Sequence, residues 1–253
     1  MQIHRFGAKR GGDWLARGWH LVAQDLPTWL MMSGLYLLFA SMLNWLPFVG
    51  YLVLVLLTPM LVAGAALHAA EVDSGETTRL AQNGFAAIKA RAARAAGKLL
   101  QIFNDADRTL AVMVVATLTL GAIVLIQILA QLLKVGGAAL PAMLKGGVGA
   151  SIWVPALLAL IVVWLAKLIV LIAAVCAVYF IVLHRDSPLT AMERSISACG
   201  ANVLPLLIAV LPLLIPLIVA AYVHWLITVA LGLFVLPWVI TSLYVAYKDV
   251  HSK

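Results

Sequence analysis

"HRDSPLTAMERSISACGANVLP", residues 184–205, is a polar island between two apolar walls, and its reading decides how the chain folds. It holds His184, Arg185, Arg194, Asp186, Glu193, three serines and Cys199, the residue types of nucleophilic and acid–base sites. Placed on a helix, these residues separate. Ser187 supplies an N-cap and Pro188 the first helical position. Leu189, Met192, Ile196, Cys199 and Val203 then form an apolar stripe, with Glu193 and Arg194 on the wet side. The competing reading makes Ser195 or Cys199 a nucleophile and His184 its base. However, Cys199 sits on the apolar stripe, His184 precedes the cap, and no G-x-S-x-G elbow is present. The island is therefore expected to be an amphipathic helix leading into a span, and no catalytic residue is assigned.

The walls extend along the whole chain. Of 253 residues, 64% are hydrophobic and 11% charged, where soluble domains carry about 25% charged residues. The mean hydropathy is +1.07. Crossing a hydrocarbon core about 30 Å thick takes roughly 20 apolar residues. Such stretches occur near 26–45, 47–70, 109–133, 158–183, 203–222 and 225–247. They are long and continuous rather than short and alternating, so helices are expected and a β-barrel is not. The fold class is all-α: a single integral membrane domain over 1–253 with six transmembrane helices. The basic residues ahead of the first wall belong to an amphipathic segment, which is read as retained rather than as a cleaved signal.

The basic residues also orient the spans. Four precede the first span, six lie between spans two and three (Arg79, Lys89, Arg91, Arg94, Lys98, Arg108), two between spans four and five, and two follow span six. The opposite side has Lys134 and Lys145. The positive-inside rule then puts both termini and the large polar loops in the cytoplasm. Cys199 lies on that reducing side and Cys176 in the inner half of span four, so no disulfide is expected. The excess of positive charge is assigned to anionic lipid headgroups and not to nucleic acid, with Arg91, Arg94 and Lys98 as headgroup-binding residues.

Each odd-numbered span has a patterned lead-in. Asp13, Arg17, His20 and Gln24 make one helical stripe, with Trp14, Leu15, Trp19, Val22 and Leu26 opposite. In the second lead-in Phe85, Ile88, Ala92, Ala95 and Leu99 form the apolar stripe, and Asn83, Arg91, Arg94 and Lys98 the polar one. With the island these make three cytoplasmic interfacial helices. The even spans close alike: "PMLVAGAALHAAE" (59–71) and "PWVITSLYVAYKD" (237–249) each place an acid twelve residues after a proline, and span four exits through Asp186. Aligning Pro27 with Pro205 superimposes the first and third lead-ins without a gap. Three helix–span–span repeats are expected, over about 1–72, 73–186 and 187–253.

"VLHRDSPLTAMERSISACGANVLPLL" (182–207) resembles the YciC-like group of bacterial inner-membrane proteins, which is related to the membrane domain attached to some glycerophosphodiester phosphodiesterases. "GGDWLARGWHLVAQDLPTWL" (11–30) and "LPWVITSLYVAYKD" (236–249) are similar to that group too. The resemblance implies a six-helix inner-membrane protein. It carries over no catalytic residue, because the soluble phosphodiesterase domain has no counterpart here.

Lys167 is the one charge inside a span, and an intramembrane charge is a functional candidate by default. Sixteen residues separate it from the inner boundary near 183, about 24 Å, so its stem can snorkel to the outer face. Gln127 and Gln131, four residues apart, are expected to bond across helices. His68 and His224 read as interfacial residues. No H-E-x-x-H or other paired metal spacing occurs, so no metal or cofactor is expected. Pro205, Pro212 and Pro216 kink span five. The glycine-rich stretch 134–150 is expected to be an outer loop. The composite expectation is a scaffold, accessory subunit or assembly factor, not an enzyme, touching membrane lipid and a protein partner or a second copy of itself. The alternative is a transporter or flippase for a lipid or small apolar molecule.

Overall fold

A computed structural model describes residues 4–46, 49–75, 85–143, 153–216, 219 and 225–251, and among them the regular elements are all helical. The helices are α1 (Lys9–Gln24), α2 (Leu26–Asn44), α3 (Val49–Asp73), α4 (Phe85–Leu99), α5 (Ala106–Met143), α6 (Trp153–His184), α7 (Pro188–Ala201), α8 (Val203–Val210) and α9 (Trp225–His251). Short 3-10 turns cover Gln101–Asn104 and Leu211–Leu213. Among the described residues five helices are long and apolar enough to cross a membrane, Leu26–Asn44, Val49–Asp73, Ala106–Leu132, Ile161–His184 and Ile227–His251, or six if the bent pair Pro188–Ala201 and Val203–Pro216 is one span.

The expected fifth span departs from this pattern. The chain bends by 93° between Pro188–Ala201 and Val203–Pro216, and α8 tightens into the 3-10 turn at Leu211–Leu213. Pro212 causes the tightening: it has no N–H to give and its ring displaces the preceding turn's carbonyl. Part of the expected stretch 203–222 and His224 lie outside the described residues. At the other end of the bundle α5 runs on to Met143, ten residues past the expected end of span three, so the first part of the expected loop 134–150 is helix. The loop's second part, from 144, lies outside the described residues.

The short helices pack in a cycle. Helix α1 lies on α8 and α9, α4 lies on α2 and α3, and α7 lies on α6 and α5. Each of these short helices thus packs chiefly on a pair of helices other than the pair that follows it in the chain. Glycine is needed in these contacts at Gly11, where a Cβ would lie 2.5 Å from the Pro205 carbonyl oxygen of α8, and at two further positions. A Cβ at Gly18 would lie 2.7 Å from the Ser242 amide nitrogen, and one at Gly64 2.5 Å from the Lys98 and Leu99 carbonyl oxygens. Helix backbones approach this closely where side chains are small. Trp14, Val22, Trp29, Tyr179 and Phe180 fill the core between the helices.

The polar stripe of α1 is exposed as expected, with Gly11, Trp14, Gly18, Leu21 and Val22 buried. The stripe expected for α7 is corrected. Ala191, Ser195, Ala198 and Cys199 face the protein, while Leu189 and Ile196 face outward. The register that superimposes Pro27 on Pro205 therefore matches the exposed Asp13, Arg17 and His20 with the buried Ala191, Ser195 and Ala198. The gap-free alignment follows the letters and not the packing. On α4 the buried positions are Ala95 and Leu99, but Ile88 is exposed, and the outer face is Lys89, Ala93 and Gly97.

Candidate functional site: a charged end and an apolar cavity

Charged residues gather where α3, α6 and α9 end. Asp249 of α9 accepts from Arg10 Nε at 2.9 Å, Trp14 Nε1 at 2.8 Å and Arg17 Nη1 at 3.1 Å, all on α1. Glu71 of α3 accepts from Lys98 Nζ of α4, at 2.6 Å to Oε2. Asp186, just beyond α6, accepts from Arg194 Nη1 of α7 at 2.7 Å. These three acids, at the ends of α9, α3 and α6, thus each hold a different short helix. A second set joins the spans themselves. Asp73 accepts from Tyr244 OH at 3.1 Å and from Lys248, while Tyr247 OH meets His184 Nδ1. Asp105, at the start of α5, lies 3.2 Å from Arg108 Nε and 3.6 Å from Arg185.

The polar island divides among these structures. Ser187 caps α7, its Oγ accepting from the Thr190 amide at 3.4 Å, as its place before Pro188 predicts. Ser195 Oγ donates to the Ala173 carbonyl of α6 at 2.5 Å and lies 4.0 Å from Cys199 Sγ. His184 is eleven residues further along α6 than Ala173, about 16 Å of helix, and is engaged by Tyr247. These three groups form no nucleophile–base pair. Arg185, with φ 59°, adopts the left-handed conformation that turns the chain from α6 into α7. Asn202 fixes the corner between α7 and α8. Its Oδ1 accepts from the Phe6 amide at 2.9 Å, and its Nδ2 donates to the His4 carbonyl at 2.9 Å and the Ala198 carbonyl at 3.1 Å.

His68 departs from its interfacial reading. It is fully buried, with Nε2 3.5 Å from Asp25 Oδ2, Nδ1 4.0 Å from Glu71 Oε2, and its ring 4.8 Å from that of Trp29. Both imidazole nitrogens, Asp25 Oδ2 and Trp29 Nε1 have no hydrogen-bond partner. Buried polar groups are ordinarily satisfied, and each exception is costly. The sequence gives no sign of this cluster, because Asp25 and His68 are 43 positions apart, one in the turn between α1 and α2 and the other on α3.

Beside Trp29 the bundle encloses an apolar cavity of about 220 Å³. Its walls come from α2, α3, α6, the 3-10 turn after α8, and α9, and include Met32, Leu61, Ala65, Ile172, Leu213 and Leu243. Tyr36 and Thr58 bring hydroxyls to the wall, but these lie 3.3 Å from each other, and Thr58 also donates to the Leu54 carbonyl at 2.6 Å.

Lys167 does not line this cavity. Its Nζ donates to Gln127 Oε1 at 2.5 Å, tying α6 to α5 as the expectation of a cross-helix bond for Gln127 anticipates. Lys98 turns inward to Glu71, and Arg91 and Arg94 are half-buried beside it, so the basic stripe flanks the packed face of α4. Cys176 and Cys199 are both buried free thiols. No family model, curated protein or solved structure matches the chain.

Proposed function

We propose that the chain is a non-enzymatic, six-span protein of a bacterial inner membrane, built from three helix–span–span repeats, with both termini cytoplasmic. In this reading it serves as a scaffold, accessory subunit or assembly factor of a membrane complex, in keeping with its resemblance to the YciC-like group. The observation that carries the reading is the cycle of lead-in helices, each bound by a terminal acid: Asp249 to α1, Glu71 to α4 and Asp186 to α7. Such a ring commits the charged groups to holding the fold together. What remains for contact is helix surface, chiefly on α5 and α6, where Leu118, Leu125, Leu129, Trp164 and Leu165 are exposed. Purification in mild detergent followed by mass spectrometry tests this. A stoichiometric membrane-protein partner or a second copy is expected, and a partner-free monomer overturns the reading. Arg91 and Arg94 serve in it as headgroup contacts, worth about 1 kcal/mol per basic residue near an anionic surface.

The apolar cavity favours a second reading, a transporter or flippase for a lipid or small apolar molecule. Flux of labelled lipid in proteoliposomes tests it. Lys167→Leu leaving flux unchanged removes the lysine from the path, and Ala65→Phe leaving it unchanged removes the cavity.

A further inference from the structure

We propose that the cavity is a binding site for the end of one phospholipid acyl chain, entered sideways between α6 and the turn that follows α8. The inference rests on the spans crossing a membrane, and on neither functional role assigned above.

Among the described residues of the wall, Leu171 is the most exposed, at 45%. Leu213, in the 3-10 turn, lines the same cavity. Helix α6 packs on α3, α5, α7 and α9 and makes no extended contact with α8, so packed helices do not close the wall between them. Pro212 holds the turn in this position, because a regular α-helix would carry the chain past Leu213 in i, i+4 rows.

The depth of the mouth identifies the occupant. Leu171 is the eleventh residue of the 24-residue span Ile161–His184, so it lies near mid-span. At 1.5 Å per residue that is about 20 Å from His184, inside a hydrocarbon core about 30 Å thick. At that depth the neighbouring solvent is the terminal part of lipid tails, not water and not headgroups. The wall is almost wholly apolar, and the Tyr36 and Thr58 hydroxyls on it are bonded to each other. An unfilled apolar void forfeits dispersion contacts around its lining, and a tail end restores them.

Size selects a chain end over a whole lipid. At about 220 Å³ the cavity exceeds the roughly 150 Å³ of an apolar cavity that takes up benzene. It falls below the about 300–1,000 Å³ of sites that enclose drug-sized ligands.

The test uses the full chain in phosphatidylethanolamine–phosphatidylglycerol vesicles doped with a phosphatidylcholine carrying a diazirine near one chain terminus. After irradiation, peptide mass spectrometry is expected to find adducts on Met32, Leu61, Ala65 or Leu243, besides outward residues such as Leu129 and Trp164. Leu171→Trp, which narrows the mouth at an exposed position, and Ala65→Phe, which fills the interior, should each abolish the interior adducts and leave the outward ones. If Ala65→Phe does not fold, Leu171→Trp alone decides. Adducts confined to outward residues, or interior adducts that persist in folded Leu171→Trp, overturn the proposal. Interior adducts without lipid flux remove the transport reading and leave the site standing; flux without interior adducts does the reverse.

Discussion

The last span and the hairpin of α5 and α6 are similarly apolar but differently used. In the most apolar 18-residue stretch of the last span 56% of the residues are buried, against 28% in the corresponding stretches of α5 and α6. Along α9 the contacts read backbone. Trp238 Nε1 donates to the Leu15 carbonyl at 2.8 Å, and Thr241 Oγ1 to the Gly18 carbonyl at 2.9 Å. Tyr179 OH of α6 donates to the Ile240 carbonyl at 2.8 Å. Between α5 and α6 the polar link is Lys167 to Gln127, and long aliphatic side chains project outward around it. The difference follows from the solvent. Lipid tails are as apolar as leucine, so greasiness alone does not press helices together; small residues and polar groups do.

That comparison is open to attack, most severely at its glycines. Gly18→Leu drives a side chain into the Ser242 backbone, and overpacking of this kind costs about 1–3 kcal/mol. Thermal unfolding of the detergent-solubilised protein, followed by tryptophan fluorescence, should show a clear loss of stability. Gly64→Leu, against the Lys98 and Leu99 carbonyls, should behave alike. Gly121 of α5 has nothing near its missing Cβ, so Gly121→Leu should cost little. Equal damage from all three would break the contrast.

Next in size, Asp249→Asn weakens the hold on Arg10, Arg17 and Trp14. Its arginine partners are 40% and 46% exposed, which limits the loss to about 1–2 kcal/mol. A double-mutant cycle with Arg17→Gln should show coupling that shrinks as salt rises; additive losses would mean that the pair holds nothing. Thr241→Val, nearly isosteric, deletes the hydroxyl given to Gly18 and should cost about 1 kcal/mol in the same melt. Lys167→Leu should be the mildest, within about 0.5 kcal/mol, as for ordinary surface changes. A larger fall would make the α5–α6 hairpin as specific as α9.

The same physics explains what the residues disclose and what they conceal. Ser187 before Pro188 announces the start of α7, and the acids at 71, 186 and 249 announce the span ends. Periodicity separates apolar from polar, but in a membrane both neighbours of a helix are apolar. On α7 the stripe of large residues, Leu189 and Ile196, faces out, while Ala191, Ser195 and Ala198 face the protein. Residue size marks the packed side there; hydropathy does not. The choice of partners is hidden for another reason. Arg17 and Asp249 are 232 positions apart, and each lead-in carries several bases that would serve. His68 looked interfacial because a histidine one turn from a span end usually is, and nothing local shows that Asp25 and Trp29 close over it.

The clasp of α1 on α9 has a consequence for biogenesis. A chain emerging from the ribosome delivers α1 first, yet the surface it fits against is completed more than 200 residues later. Until then Trp14 lacks its Asp249 partner and α1 the helix it packs on most, and the membrane surface is where an amphipathic helix waits most cheaply. Docking must follow insertion of the last span, which makes the earliest helix the latest to reach its place. The long loop that this contact closes marks it as a slow step of assembly. A chain stalled short of α9 would offer a quality-control protease its own first helix as the signal of incompleteness.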